Sequence, residues 1–286
     1  MLKANIVISL FLYSLLTPLV DLAGQSLKDT YSHALANFVE GYYQECIPGF
    51  TRAMFFAEKS GEIYKNANFY LGMAHYHDGN FEQSLKHLKT AQHLYLSDSL
   101  KNEIALSIAA TYLQKREPKF ALANLLQIAS EVNQREYLER KIAFYLSLGY
   151  FLNHDFEKSK NTLHGVDTGF YKIHEENIEK IYKKSARYAG MTPRLISYLS
   201  VVPGLGQLYV GEYGEAANSL LLNSSIYFLY ILTIQQLSLL DAIVSVFPWF
   251  HRYYVGGIMK TQNMAENAVQ KNIFEGYNTL VKMYSE

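Results

Sequence analysis

The stretch FYLGMAHYHDGNF at residues 69–81 returns as FYLSLGYFLNHDF at residues 144–156. In each copy a Ser lies three positions beyond the final Phe, and a Leu lies four positions further on. Weaker copies fit between these segments and upstream of them. The spacing divides into units of about 37 residues, a period that is typical of stacked helix pairs, because one pair cannot bury its own apolar face. We therefore predict about four helix pairs over residues 26–168.

Small residues are predicted to set the spacing of the helices in each unit. In the best-defined copy these residues are Gly72, Ser84 and Ala91. Gly79 lies where the first helix must turn into the second, a position where glycine adopts a positive φ angle at little cost. His154 replaces this glycine in the last copy, and Glu117-Pro118 is expected to be an insertion in the turn of the copy before it.

The spacing of small and aromatic residues over residues 71–91 resembles the tetratricopeptide pattern. The resemblance implies an all-α fold in which the helix pairs form a short tetratricopeptide-like solenoid. In such arrays the first helix of each pair lines a concave surface that binds extended peptides or partner helices. By this resemblance Asn68, His75 and Tyr112 are candidates for lining a partner-binding groove. The alternative is that these side chains pack against a neighbouring unit.

The first 24 residues have the features of a secretory signal peptide. Lys3 precedes an apolar run, and the small residues Ala23-Gly24 precede a polar start. The apolar run extends from Ile6 to Val20. It is shorter than the ~20 residues that a spanning helix needs, so export is favoured over the alternative of an uncleaved anchor.

Charge is distributed unevenly along the chain. The 26 acidic residues balance the 26 Lys and Arg residues, and aromatic residues make up 14%. The balance argues against nucleic-acid binding, which needs a basic face, and the aromatic content argues against disorder. Residues 194–257 contain only five charged residues, so the overall shortage of charge is concentrated there.

A glycine-rich stretch, PGLGQLYVG, opens this uncharged region at residues 203–211. It lacks the GxGxxG spacing of a dinucleotide site and the Lys-Ser/Thr pair of a phosphate-binding loop, so a nucleotide site is rejected. We predict instead a tight turn at a membrane interface, anchored by amphipathic tyrosines. The residues of this turn motif are Pro203, Gly204, Gly206, Gln207, Tyr209 and Gly211.

Two hydrophobic helices are predicted after the turn. Residues 216–234 form a run without a formal charge, and its length is close to the ~20 residues that span a bilayer. Ser238-Leu-Leu-Asp241 resembles a capping box that opens a second helix, which is expected to bend at Pro248. The predicted segments are a connecting helix at 169–193, a hydrophobic membrane helical hairpin at 194–262 and an amphipathic tail at 263–286.

Arg252 interrupts the second hydrophobic helix. In an antiparallel pair of helices it lies level with Leu221, near polar residues of the first helix. We therefore predict an intramembrane polar contact formed by Asn218, Asn223, His251 and Arg252. One alternative is that Arg252 extends to the membrane interface, and another is that both segments form a buried hairpin in a soluble helical protein.

The C-terminal region resembles a recurring arrangement in bacterial envelope membrane proteins. These proteins have a PGxGQxYxG turn, a hydrophobic helix that carries Asn, and an aromatic-basic segment such as Arg252-Tyr253-Tyr254-x-Gly256. The hairpin often follows tetratricopeptide-like repeats. The resemblance implies a membrane location and attaches no reaction to the chain.

The sequence predicts no catalytic site, no metal site and no cofactor. His75 and His77 are two positions apart, so their imidazoles point to different faces of a helix. Cys46 occupies a small-residue position of its repeat, where a buried structural thiol is favoured over a nucleophile. No Ser-His-Asp arrangement was identified. We therefore expect a protein that is not an enzyme.

These features favour a non-enzymatic, membrane-attached scaffold that contacts lipid and binds a protein partner through its repeats in the bacterial envelope. The second hypothesis is a small membrane transport or channel component in which Asn218, Asn223 and Arg252 line a polar path. The signal peptide places the repeats in the periplasm. Basic residues that flank the hairpin on the repeat side favour the opposite orientation. An outer-membrane location would remove that conflict.

Overall fold

The computed structural model of the protein describes residues 26–95, 98–131, 136–166 and 168–285. Within these ranges the chain forms fourteen α-helices and no β-strand, which confirms the all-α prediction. The signal peptide predicted for residues 1–24 lies outside the described residues. The chain divides into two compact units between Gly149 and Tyr150, which is earlier than the predicted end of the repeats at residue 168.

The helices follow one another with short connections. The first seven are α1 (Leu27–Val39), α2 (Tyr43–Phe56), α3 (Glu62–His77), α4 (Phe81–Leu94), α5 (Asp98–Gln114), α6 (Pro118–Glu131) and α7 (Glu136–Leu152), which contains the boundary between the units. The other seven are α8 (Phe156–Val166), α9 (Thr168–Ala189), α10 (Pro193–Leu199), α11 (Leu205–Val210), α12 (Tyr213–Gln236), α13 (Leu239–Ser245) and α14 (Phe247–Ser285).

Helices of the first unit pack as a repeat. Each helix from α1 to α5 contacts the next one along the chain, and α3 also contacts both α1 and α5. The interior of this packing holds fully buried side chains such as Phe50, Leu71 and Leu88. The first helices of successive pairs therefore lie side by side, as expected when each pair completes the core of its neighbour.

Small residues bring the helices of the first unit close together. A Cβ atom added at Gly72 would lie 2.7 Å from Cγ of Leu88, across the α3–α4 contact. A Cβ atom added at Gly149 would lie 2.8 Å from Cδ2 of Leu122. The hydroxyl of Ser84 lies 3.3 Å from that of Thr111, so α4 and α5 are joined by a buried polar contact. The close approach predicted from the spacing of small residues is thus present.

The same turn joins the two helices of every pair. Its central residues, Gly41, Gly79, Arg116 and His154, have positive φ angles and recur at nearly constant intervals along the chain. In each turn the N–H of the central residue donates to the carbonyl three positions earlier, and the next N–H donates to the carbonyl five positions before it. The expected insertion at Glu117-Pro118 is wrong, because Arg116 adopts the left-handed conformation and the turn keeps its length.

In the second unit, α14 is one continuous helix of 39 residues. The predicted amphipathic tail from residue 263 is therefore the continuation of the helix that carries Arg252, and it packs against α9. A Cβ atom added at Gly276 would lie 2.8 Å from Cζ of Phe151 and 3.0 Å from the hydroxyl of Ser185. The connecting helix and the tail thus form a buried contact.

Among the described residues, α12 is the one helix long and apolar enough to cross a membrane. Its 24 residues extend about 36 Å at ~1.5 Å per residue, which exceeds the ~30 Å of a hydrocarbon core. Only 6% of its most apolar window is buried. The residues that α12 does bury are Ala216 and Asn223.

The second hydrophobic segment is divided into α13 and the start of α14. Ser238 caps α13, with its hydroxyl accepting the Asp241 N–H at 3.1 Å and donating to Oδ2 of Asp241 at 2.6 Å. The helix ends at Ser245, and α14 begins at Phe247, so the expected bend at Pro248 is a break just before that residue. A proline in the first turn of a helix is tolerated, because the N–H it lacks has no partner within the helix there. Both α13 and α14 contact α12.

Candidate functional site

The glycine-rich turn folds around the short helix α11. Gly204 and Gly211 flank this helix with φ angles of 88° and 95°, values that favour glycine. A Cβ atom at Gly204 would lie 2.7 Å from the Ala216 carbonyl oxygen, and one at Gly206 would collide with the Ser200 hydroxyl. The two inner glycines thus allow α11 to lie against its neighbours.

The remaining residues of the turn motif have different environments. Gln207 is buried, and its backbone carbonyl accepts the N–H groups of Gly211 and Glu212 at 3.1 and 2.9 Å. Pro203 is half-buried, and Tyr209 is exposed to 39%. This arrangement leaves one polar side chain, that of Gln207, in the interior of the turn.

That glutamine contributes to a polar cavity of about 400 Å³ between α11, α12 and α14. The polar cavity is lined by Gln207, Glu215, Asn218, Ser219, Leu222, Asn223, Arg252, Tyr253, Gly256, Gly257 and Lys260. Three of the four residues predicted to form the polar contact, Asn218, Asn223 and Arg252, therefore lie on one cavity. His251 is exposed and does not line it.

The charges of the polar cavity do not cancel. Nζ of Lys260 lies 2.7 Å from Oε2 of Glu215, so these two charges neutralise one another. The guanidinium of Arg252 forms no ion pair with any described residue. The polar cavity therefore carries one net positive charge, located at Arg252.

Two residues that line the polar cavity, Asn223 and Gln207, each have a buried side-chain oxygen without a hydrogen-bond partner. Nδ2 of Asn223 donates to the Ser219 carbonyl at 2.8 Å, which leaves Oδ1 as the unpartnered atom. Oε1 of Gln207 is likewise buried without a partner. An unsatisfied buried acceptor costs about 1–3 kcal/mol, so both oxygens favour a bound hydrogen-bond donor.

A second, smaller recess lies on the first unit. This first-helix cleft has a volume of about 110 Å³ and is lined by residues of α3, α5 and α7: Met73, Tyr76, Glu103, Leu106, Ser107, Ala110, Lys141 and Tyr145. Nζ of Lys141 lies 3.4 Å from Oε2 of Glu103 and 4.5 Å from the centre of the Tyr137 ring. The cleft thus combines apolar walls with one ion pair.

The three predicted groove residues do not line this cleft. Asn68 is buried, with Oδ1 3.2 Å from Nδ1 of His87 on α4. The ring of His75 stacks on the same His87 at 5.8 Å, and that of Tyr112 stacks on Phe120 of α6 at 5.5 Å. In these contacts all three pack against the second helix of their own pair.

Sequence reasoning missed the cleft residues, although the repeat contains a signal for them. Glu103 and Lys141 occupy equivalent positions in successive pairs, and so do Ser107 and Tyr145. Their separation matches that between successive turns, so one aligned position carries charge and another carries polar or aromatic groups. Aligning the repeats position by position would have separated these residues from the packing residues.

The histidine and cysteine side chains of the first unit lie in packed surroundings. His77 stacks on Tyr43 at 4.2 Å, so its ring and that of His75 lie against different helices, as their spacing predicts. Burial raises the pKa of Cys46 to about 11, and its Sγ donates to the Tyr43 carbonyl at 3.1 Å. The thiol is therefore protonated at neutral pH. Within the described ranges, no group of three His, Cys, Asp or Glu side chains could hold a metal ion.

Comparison with known proteins gives no relative. No family model, no curated protein and no solved structure matches the chain. The resemblances to tetratricopeptide repeats and to the PGxGQxYxG hairpin therefore rest on the motifs alone.

Proposed function

We propose that the protein is a non-enzymatic, membrane-attached scaffold that binds a protein partner through its repeat surface in the bacterial envelope. The observation that carries the proposal is α12, an apolar helix of spanning length in which only 6% of the most apolar window is buried. A soluble protein rarely leaves so large an apolar surface uncovered. The same chain also presents a helical repeat with a cleft on its first helices.

Lipid is the environment that suits the exposed face of α12. Leu221 is exposed to 67% and Phe228 to 64%, while the helix buries an asparagine. Leu240 and Val244 of α13 are exposed to 73% and 75%. In this proposal α12, α13 and the start of α14 form the hydrophobic hairpin, with Tyr209 of the turn at the membrane interface.

The first-helix cleft supports the partner-binding half of the proposal. It lies on α3, α5 and α7, the first helices of three successive pairs. Its Met and Tyr side chains suit an apolar side chain of a partner, and its Glu103–Lys141 pair suits a polar backbone or side chain beside it. A partner helix or extended segment that follows the first helices would contact all three.

The test is affinity purification of the full chain from detergent-solubilised membranes, with two matched variants. Ser107 lines the cleft and Ser130 is exposed on α6, and each hydroxyl donates to a carbonyl of its own helix. We expect the unmodified chain and Ser130→Arg to retain one stoichiometric partner and Ser107→Arg to lose it. Retention of the partner by Ser107→Arg would contradict the assignment of the cleft.

Membrane attachment and orientation are tested separately. We expect the chain to remain in membranes after washing with carbonate, and its release would contradict attachment through α12. The proposed periplasmic location of the repeats predicts that protease added to cells with a permeabilised outer membrane cleaves them. If the repeats resist the protease under those conditions, the proposed periplasmic location is wrong.

A second candidate function is a small membrane transport component. The polar cavity favours it, because Asn218, Asn223 and Arg252 share one lining beside the apolar helix α12. Purified protein in liposomes decides between the two functions. Ion or solute flux would support transport, and its absence together with a stoichiometric partner supports the scaffold.

A further inference from the structure

We propose that the polar cavity binds the headgroup of an anionic phospholipid. Arg252 would hold the phosphodiester, and the carbonyl oxygens of Asn223 and Gln207 would accept hydrogen bonds from headgroup hydroxyls. This inference rests on the membrane attachment proposed above, but it does not depend on the protein partner. Three features of the cavity support it: its charge, its unpartnered acceptors and its position beside α12.

The charge of the polar cavity selects an anion. Glu215 neutralises Lys260 at 2.7 Å, whereas Arg252 has no acidic partner among the described residues. A guanidinium presents a planar set of N–H donors that matches two phosphate oxygens at once. A phosphodiester is therefore a suitable anion for this position.

The unpartnered oxygens of Asn223 and Gln207 favour a ligand that carries hydrogen-bond donors as well as a phosphodiester. The Asn223 amide cannot be reversed without loss of the bond from its Nδ2 to the Ser219 carbonyl, so its Oδ1 remains an acceptor. Gln207 provides a second buried acceptor on the same lining. A glycerol headgroup carries two hydroxyl donors, whereas a choline headgroup carries none. The chemistry therefore favours phosphatidylglycerol over phosphatidylcholine.

The position of the polar cavity indicates a lipid rather than a free phosphate. Leu222 of α12 lines the cavity and is itself exposed to 36%. A headgroup in the cavity could therefore continue into acyl chains along an apolar surface. The volume of about 400 Å³ lies in the range of small-molecule sites, about 300–1,000 Å³.

Trp249 provides a probe for the binding measurement. It is the only tryptophan in the sequence, and its ring stacks at 6.3 Å on Tyr253, which lines the polar cavity. The full chain in a neutral detergent is titrated with dihexanoyl phosphatidylglycerol, dihexanoyl phosphatidylcholine or inorganic phosphate. We expect a saturable fluorescence change with phosphatidylglycerol, affinity lower by about tenfold or more for phosphatidylcholine, and no saturation with inorganic phosphate. Equal affinity for the two lipids would overturn the headgroup assignment, and saturation by inorganic phosphate alone would overturn the lipid assignment.

Three variants assign the binding to named residues. Arg252→Gln is expected to weaken phosphatidylglycerol binding by about tenfold or more, because the phosphodiester loses its cation. His251→Gln is the matched control, since His251 is adjacent in sequence and does not line the cavity. Unchanged binding by Arg252→Gln would overturn the site.

Asn223→Leu keeps the test valid if Arg252→Gln does not fold. Replacing an unpartnered acceptor by an apolar side chain of similar size is expected to raise the unfolding temperature without lipid, and to weaken phosphatidylglycerol binding. Unchanged binding would overturn the role of Asn223. Because the titration is done in detergent, its failure is distinct from release of the chain by carbonate, which would contradict membrane attachment itself.

Discussion

The helix α3 of the first unit and the helix α12 differ in how many of their large apolar side chains are exposed. In α3 the exposed residues are Glu62 and His77, and the buried residues are Ala67, Asn68, Leu71, Gly72 and Ala74. In α12 the buried residues are Ala216 and Asn223, and large apolar side chains such as Leu221 and Phe228 are exposed. Both helices are regular, so they differ in which of their side chains the rest of the protein covers. The exposed apolar side chains of α12 are therefore the surface that the proposed membrane attachment would cover.

The test with the largest expected effect introduces a charged side chain on α12. Phe228→Arg places a cation near the middle of its uncharged run, which is expected to cost about 2.5–3.5 kcal/mol in lipid. The matched control is Phe55→Arg in α2, where the phenylalanine is exposed to 80% and a change of less than about 0.5 kcal/mol is expected in water. The fraction of chain that resists carbonate washing measures the effect. Equal retention of both variants would break the comparison.

The second test concerns the tight contact inside the first unit. Gly72→Val introduces a branched side chain 2.7 Å or less from the Leu88 side chain, and such overpacking is expected to cost about 2 kcal/mol. Gly165→Val is the control, because a Cβ atom there meets no atom within 4 Å. Denaturant unfolding followed by circular dichroism gives the two free energies. An equal effect of both substitutions would show that Gly72 is not a contact point.

The third test concerns the equivalence of the turns in the two units. Asn80 accepts the Gln83 N–H and Asp155 accepts the Lys158 N–H, both at 3.4 Å. Replacing either residue by Ala is expected to cost about 1 kcal/mol, because each caps the second helix of its pair. Denaturant unfolding measures both losses. If only one of the two variants loses stability, the turns of the two units are not equivalent.

The fourth test, with the smallest expected effect, concerns how the stability of the first unit depends on pH through His87. Burial, followed by the charges of His75 and Lys86, lowers its pKa to about 4 from the ordinary 6.5. The unfolded chain therefore binds the proton first, and the stability of the first unit falls as the pH decreases from about 6.5 toward 4. The unfolding temperature should decrease between pH 7 and pH 5, and less steeply in His87→Gln. A slope unchanged by that variant would place the pH dependence on other groups.

The repeat was predictable because it depends on local rules. The alignment of Gly79 with His154 marked two turns, and both residues have positive φ angles in the structure. The third turn was predicted with an insertion that it does not have, because Arg116 gives no sign in sequence that it adopts the left-handed conformation. A periodic sequence thus locates equivalent positions, while the conformation of one residue depends on the helices that hold it.

The candidate sites were predictable only in part. Asn218, Asn223 and Arg252 line one cavity, because an antiparallel pair of helices fixes which residues are level. His251 was placed with them because it is adjacent to Arg252, although successive helical residues point about 100° apart. Gln207 was seen only as part of a turn. Its position on the cavity depends on the packing of α11 against α12 and α14, which sequence spacing does not encode.

The continuity of α14 has a mechanical consequence. Its 39 residues form a rod about 58 Å long at ~1.5 Å per residue, nearly twice the ~30 Å of a hydrocarbon layer. One end carries Arg252 beside the polar cavity, and the other carries Gly276 against Phe151 with no spare clearance. A rotation of the rod at the cavity would turn Gly276 in the same sense. A ligand in the polar cavity that rotates α14 would therefore also strain the contact between Gly276 and Phe151.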